Sequence, residues 1–248
     1  MIRKYHRPSS LEGALDLLAR GDVVTVLLGG GTVLNGLPAA PADEVVDLQG
    51  LALDGISSEG TTVTYGAMAR LQDVVDNGWT PPLLRHLARG ELPSTLRTAA
   101  SVGGTVAAAD GESRFLAGLL ACEATVTVAT RSGDDTYALD RILVDKTLLE
   151  GAIITSVTLE TSGFGAWEGT GRTPADTPIV LVAGRRRPDG GTVLAATGVA
   201  ATPVVIDPDH IDDLDPPGDF RGTPEYRRHL AAVLANRVIS RLEKEGRA

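Results

Sequence analysis

Cysteine is almost missing from this 248-residue chain, Cys122 being the only one. A single thiol forms no internal disulfide, and alone it ligates neither a structural zinc nor an iron–sulfur cluster. Within the apolar run Leu119-Leu120-Ala121-Cys122 it reads as a small buried hydrophobe. Histidine is also sparse. His6, His86, His210 and His229 are scattered, with no i,i+4 pair or carboxylate companion, so no metal ligands and no catalytic residues are assigned. Asp209, Asp212, Asp213 and Asp215 lack EF-hand spacing and its closing glutamate, and read as a solvated loop. No apolar run approaches the roughly 20 residues needed to span a bilayer. The start, Met1 to His6, has no signal-peptide core, and a cytoplasmic protein is expected. Positive charge is in the minority, with 23 Lys and Arg against 32 Asp and Glu, a net charge of −9. Such a surface repels phosphate backbones and anionic lipid, which argues against nucleic-acid and membrane binding.

What is present is a chain 43% hydrophobic, enough for one large domain or two to three small units packed together. Ser9-Ser10-Leu11-Glu12 has capping-box spacing; Leu11, Ala14, Leu15 and Leu18 share a helical face, and Gly21 suits a left-handed stop. The β-branched run 23–28 reads as a buried strand entering Gly29-Gly30-Gly31-Thr32, and a strand over 45–48 follows a loop with Pro38 and Pro41. Further strands are expected over 62–65, 123–129 and 153–159, and helices over 67–75, 82–88 and 115–121. The glycine-, threonine- and proline-rich segment Ser162–Thr177 reads as a boundary. Beyond it lie strands over 179–183, 192–200 and 203–206. A long helix follows, capped by Thr223, with Tyr226, Leu230, Val233, Leu234, Val238 and Leu242 as its buried stripe. Arg185-Arg186-Arg187 reads as a strand-end turn and Trp79 as a packing residue. Strands and helices without regular βαβ alternation indicate an α+β fold, not a Rossmann domain.

Two glycine clusters stand out. Three glycines after a strand let the backbone turn sharply and offer successive N–H groups to an anion, with Thr32 as a further donor. Alone, such a loop is better explained by a tight strand exit with no ligand, because glycine-rich loops are common. The second run, Ala99-Ala100-Ser101-Val102-Gly103-Gly104, would let the backbone approach a flat ligand, or else pack closely at a junction. Two such clusters in different small units are suited to gripping one extended dinucleotide.

Leu28-Gly29-Gly30-Gly31-Thr32-Val33-Leu34 resembles the Ala-Gly-Gly-Thr-(Asp/Ser)-Leu loop of the flavin-carrying medium subunits of the xanthine dehydrogenase and carbon monoxide dehydrogenase family, the molybdenum hydroxylases. Arg97-Thr98-Ala99-Ala100-Ser101-Val102-Gly103-Gly104 resembles their Arg-Asn-x-(Gly/Ala)-(Thr/Ser)-(Ile/Val)-Gly-Gly-Asn signature. In the same order, Tyr5-x-x-Pro8-x-Ser10-Leu11, Lys146-Thr147-x-Leu149, Ile153-Ile154-x-x-Val157, Arg172-x-x-x-Asp176, Gly198-Val199-Ala200-x-x-Pro203 and Tyr226-Arg227-Arg228 match across nearly the whole chain.

The resemblance implies a two-subdomain FAD-binding fold of the vanillyl-alcohol-oxidase type, residues 1–57 and 58–161, then a small α+β C-terminal domain over 165–248. It implies FAD on Leu28, Gly29, Gly30, Gly31, Thr32, Val33, Ala100, Ser101, Val102, Gly103, Gly104 and Thr105, with Asp110 nearby and Ile154 packing on the isoalloxazine ring. It also implies a large molybdopterin-cofactor partner and a small partner with two 2Fe–2S clusters, from which FAD relays electrons to an external acceptor.

The chain departs from the pattern at Val33 (Asp or Ser in the family), Thr105 (Asn) and Arg114 (Asp); Trp167 or Glu168 stands where a Tyr or Lys is expected near the flavin. These changes motivate an alternative: a flavin-free paralogue serving as an assembly subunit. A self-contained flavin oxidase would need a substrate domain with catalytic bases, which the residues after Ser162 do not offer.

Overall fold

The computed structural model describes residues 2–36, 42–171 and 176–246, which form three sheets. Pro38, Pro41 and Arg172, which the sequence reading used, lie outside the described residues. The first sheet joins β1 (Lys4–His6), β2 (Thr25–Leu28) and β3 (Glu44–Asp47) in the order β1-β3-β2, all parallel. One helix, α1 (Leu11–Leu18), packs Ala14 and Leu15 against Val46 and Leu48. Central β3 is buried throughout, whereas β2, an edge strand, is half-buried rather than the buried strand expected. Two details of α1 also differ. Ser10, not Ser9, caps it by accepting from the Gly13 amide at 3.2 Å, and Ala19 in right-handed geometry ends it before Gly21.

Glu44 on β3 is buried, so its charge needs partners. His6 lies 2.7 Å from its carboxylate, Arg20 donates to the same oxygen and Lys4 stands 3.5 Å away. The His6 and Arg20 hydrogen bonds hold its pKa down to about 2, from an ordinary 4.5. A depressed acid contributes stability that is full above its ordinary value and lost as pH falls toward 2. Glu44→Gln should therefore lower stability at neutral pH and flatten the acid side of the stability–pH profile between about 4.5 and 2. Denaturant melts across that range read both effects.

The second sheet has the order β4-β5-β8-β6-β7: β4 (Ile56–Glu59), β5 (Thr62–Gly66), β6 (Thr125–Thr130), β7 (Gly133–Ala138) and β8 (Ile153–Glu160). Against it pack α2 (Leu71–Asp76), α3 (Pro82–Glu91), α5 (Val102–Ala108), α6 (Arg114–Ala121) and α7 (Leu139–Val144), while α4 (Ser94–Arg97) buries no residue and adjoins α2 and α3. Every residue of α6 from Phe115 to Ala121 is buried, as a helix apolar on all sides must be. It contacts α3 on one side and the strands of the third sheet on the other. Ser113 Oγ caps it, and the carboxylate of Glu91 accepts the Phe115 amide at 2.9 Å and the Ser113 hydroxyl. Burial raises the Glu91 pKa. Cys122 at the end of α6 is buried, and burial pushes its thiol up to about 12.

The third sheet is antiparallel, β12-β11-β10-β9: β9 (Phe164–Thr170), β10 (Val180–Arg186), β11 (Thr192–Thr197) and β12 (Val204–Ile206). β9 occupies described residues of the segment expected to be a boundary. It pairs with β10 from Val180↔Thr170 to Arg186↔Phe164, and ladder hydrogen bonds outweigh its glycine-rich composition. The opposite face is covered by α8 (Pro224–Glu245), capped by Thr223 Oγ1 on the Tyr226 amide. Tyr226 is exposed, not part of the buried stripe. Arg227 is buried in its stead, with Ala231, Leu234, Ala235, Val238 and Leu242. Arg185 is likewise buried on β10 and not in a turn; with Arg187 it meets the Glu123 carboxylate, each at 3.1 Å. Trp79 is about half exposed, at 55%.

Arg227 ties this unit together: it donates to the carbonyls of Ile179 (2.8 Å) and Gly198 (3.0 Å) and pairs with Asp219 at 2.8 Å. Removing it takes this donor from the Ile179 and Gly198 carbonyls, while Asp219 keeps the Arg221 side chain and the Arg221 and Gly222 amides. Arg227→Leu should destabilise the protein by about 3 kcal/mol or more in denaturant melts.

Candidate flavin cleft

β2 runs straight into the first glycine loop, and antiparallel bridging of Ser101 with Arg70 brings the second motif beside it. The approach is closest at Gly30, where a Cβ would lie 1.9 Å from the Ala99 carbonyl oxygen. Cβ atoms on Gly29 and Gly104 would each crowd Ser101 Oγ, at 2.7 and 2.8 Å, and one on Gly103 would strike Ala67 at 2.8 Å. The two turns therefore meet backbone to backbone.

Between and beside them lie two adjoining cavities, of about 300 Å³ and about 230 Å³, which share Leu27, Gly29, Ser101, Gly104 and Ala107. The larger is walled by aliphatic residues of all three neighbouring segments, Leu18, Leu48, Met68, Leu149 and Ile154 among them. The smaller is lined by Gly30, Gly31, Thr32, Val33 and Leu34. Neither lining includes a charged residue.

Donors for an anion come mainly from one loop. Among the described residues, the amides of Gly30, Gly31 and Thr32 have no hydrogen-bond partner. The Gly103 amide is committed to the Ala67 carbonyl at 2.8 Å, and the Gly104 amide to Ser101 Oγ at 3.2 Å. The second motif thus contributes a nearly bare backbone wall and the buried Ser101 hydroxyl, whose proton has no acceptor among the described residues. Unpaired amides beside a cavity free of side-chain charge suit a diphosphate, and the aliphatic cavity beside them suits a planar ring. The residues present therefore fit FAD.

Ile154 reaches the larger cavity through an irregularity in the sheet. Register passes from Thr127↔Ser156 to Val128↔Ile154, leaving Thr155 as the extra residue. A bulge re-aims its neighbours. The Thr155 carbonyl takes the Ala67 amide at 2.9 Å, stitching β8 to the segment that backs Gly103.

Of the residues expected at the site, Gly29, Gly30, Gly31, Thr32, Val33, Ser101, Gly103, Gly104 and Ile154 line the two cavities. Leu28, Ala100, Val102, Thr105 and Asp110 do not. Val102 is fully buried in the core, the Thr105 hydroxyl donates within its own helix to Ser101 O at 3.0 Å, and Asp110 is exposed, capping the Glu112 amide. Arg114 is also outside the lining. It donates to the Asp176 carbonyl and lies against Gly90, beside buried Glu91. The reversed charge thus has local partners and no part in the cleft. Trp167 stacks on His86 with ring centroids 4.5 Å apart, and Glu168 pairs with Arg241; neither lines the cleft. Sequence reasoning missed Leu18, Thr25, Leu48, Met68 and Ala152, which line the larger cavity and carry no motif, and Leu149, whose motif gave it no place in the cleft.

Gly30→Ala must force the two backbones apart and should cost about 1–3 kcal/mol of stability, with FAD affinity falling at least tenfold. Gly78→Ala, where a Cβ meets nothing within 4 Å, is the control and should change neither. Thermal melts and flavin titration measure the pair.

The chain matches the family "FAD binding domain in molybdopterin dehydrogenase" over residues 1–159. It is 27% identical to the uncharacterized protein YgfM of Escherichia coli, over 99% of this chain and 98% of that one. It is 26% identical to the glyceraldehyde dehydrogenase medium chain of Sulfolobus acidocaldarius, over 95% and 96%. The carbon monoxide dehydrogenase structure from Hydrogenophaga pseudoflava that lacks the Mo-pyranopterin moiety superposes with a TM-score of 0.86 at 24% identity, covering 97% and 96%, and so shares the fold. The chain therefore belongs to the family of FAD-binding domains of molybdopterin dehydrogenases, as an FAD-binding subunit of an oxidoreductase.

Proposed function

We propose that this chain is the electron-relay subunit of a molybdenum hydroxylase complex, passing electrons from 2Fe–2S clusters of a small partner to an external acceptor. Substrate oxidation then belongs to a large molybdopterin-cofactor partner. The observation that carries the reading is the unpaired amide set of Gly30, Gly31 and Thr32 at the edge of an aliphatic cleft backed by Ile154. FAD, when bound, supplies the redox chemistry.

The chain's own residues bind and orient. The Gly30–Thr32 amides and the Ser101 hydroxyl hold the diphosphate, and Leu27, Met68 and Ile154 clasp the ring and exclude water from it. Leu28, Ala100, Val102 and Thr105 act behind this surface by fixing the backbone of the two turns. Residues 1–57 and 58–161 serve as the two flavin-holding subdomains, and 165–248 as the domain that packs the subunit into its assembly. Among the described residues no helix is long and apolar enough to cross a membrane, and none form a group of three or more potential metal ligands. The proposal places the subunit in the cytoplasm and the metals of the complex in its partner chains.

Purified protein should show flavin absorption bands, or gain them on addition of FAD, and should copurify with a molybdenum-containing large subunit and an iron–sulfur small subunit. A colourless protein that copurifies with both partners and takes up no FAD overturns the relay in favour of a flavin-free assembly role.

A further inference from the structure

Among the described residues, one side chain that lines the larger cavity has a buried polar atom without a hydrogen-bond partner. Thr25 opens β2 and lines that cavity, and its Oγ1 is buried without a hydrogen-bond partner among the described residues. Parallel register sets Thr25 opposite Glu44, so both side chains stand on the sheet face that carries Val46 and packs against α1. Glu44 on that face is engaged by His6, Arg20 and Lys4. The cavity-lining neighbours Leu18, Leu27 and Leu48 are aliphatic.

A buried hydroxyl left unpaired destabilises the protein, and a valine of the same shape would fill the position without that penalty. An orphaned hydroxyl at the wall of a ligand cavity is therefore the mark of a contact completed by the ligand. The unpaired amides that suit phosphate belong to the smaller cavity, so the partner of Thr25 is a different part of the molecule. We infer that Thr25 is a positioning residue for the flavin ring, its hydroxyl hydrogen-bonding the heteroatom edge of the isoalloxazine while Met68, Leu149 and Ile154 pack on the carbon framework. A rotation about χ1 between staggered wells exchanges the threonine methyl and hydroxyl and presents the oxygen to the cavity. The inference rests on the cleft being the flavin site.

The test uses the full chain stripped of flavin, unmutated and as Thr25→Val and Thr25→Ser. FAD affinity is read by quenching of flavin fluorescence, and melting temperature is read without flavin. Thr25→Val should bind FAD about five- to tenfold more weakly, while its flavin-free form melts at or above the unmutated chain. Thr25→Ser should keep affinity within about twofold. The bound-flavin reduction potential should shift in Thr25→Val and not in Thr25→Ser. Equal affinity in Thr25→Val overturns the inference, as does a flavin-free melting loss that parallels the affinity loss, which is the signature of packing alone. If the unmutated chain takes up no FAD, the flavin reading itself falls, and the role of Thr25 with it.

Discussion

The contact of Gly30 with the Ala99 carbonyl is the constraint on which the cleft depends. No side chain fits between those backbones, since a Cβ would sit 1.9 Å from the oxygen. The loop after β2 is thereby fixed to the turn before α5, although about seventy residues separate them. Gly103 against Ala67, and Ser101 Oγ between Gly29 and Gly104, extend the seam. Both cavities open along it because glycines and alanines leave the backbone surface bare there.

That geometry explains how a chain with a net charge of −9 accommodates an anion. No charged residue lines either cavity, so the favourable potential comes from unpaired peptide dipoles. Nearby cations are committed elsewhere: Lys146 to the Ala107 carbonyl at 3.0 Å, and Arg70 to Ala99 O at 2.6 Å. Backbone donors do not titrate, and they cost little reorganisation when a ligand arrives. Val33, in the place of a polar family residue, stands at the rim and 53% exposed, so the unpaired amides of Gly30, Gly31 and Thr32 remain the donors of that loop.

The glycine loops and the long terminal helix with its Thr223 cap were legible in the sequence because each has a local signature, whereas Ile154 was singled out only by the family resemblance. β7 and β9 were not legible. Gly133–Ala138 is mostly polar, and Phe164–Thr170 alternates poorly; both are strands because β6 and β10 offer them complete ladders. Nor did spacing reveal that the Gly103 amide is already bonded, since its acceptor, Ala67 O, is set by tertiary folding; the Gly104 amide is taken locally by Ser101 Oγ as the N-cap of α5. The aliphatic lining escaped notice for a similar reason. Met68 lay inside an expected helix and Leu149 in a family motif, and neither pattern shows the space that opens beside them where the bulge at Thr155 turns β8.

The C-terminal unit is continuous with the flavin cleft and not an appendage. Leu181, Ala183 and Ala195 of the third sheet share one core with Val128, Val157 and Ile154 of the second, and α6 is the helix that joins them. An all-apolar helix of this kind is stable only with both faces covered. Removing the third sheet would expose α6 and loosen the layer that supports Ile154. Outside the core, Glu123, held at a positive φ of 53°, takes Arg185 and Arg187 together, so the α6–β6 corner is tied to β10 by charge as well as by packing. A displacement of the third sheet therefore reaches the Ile154 wall of the larger cavity through close-packed side chains, a route with little compliance.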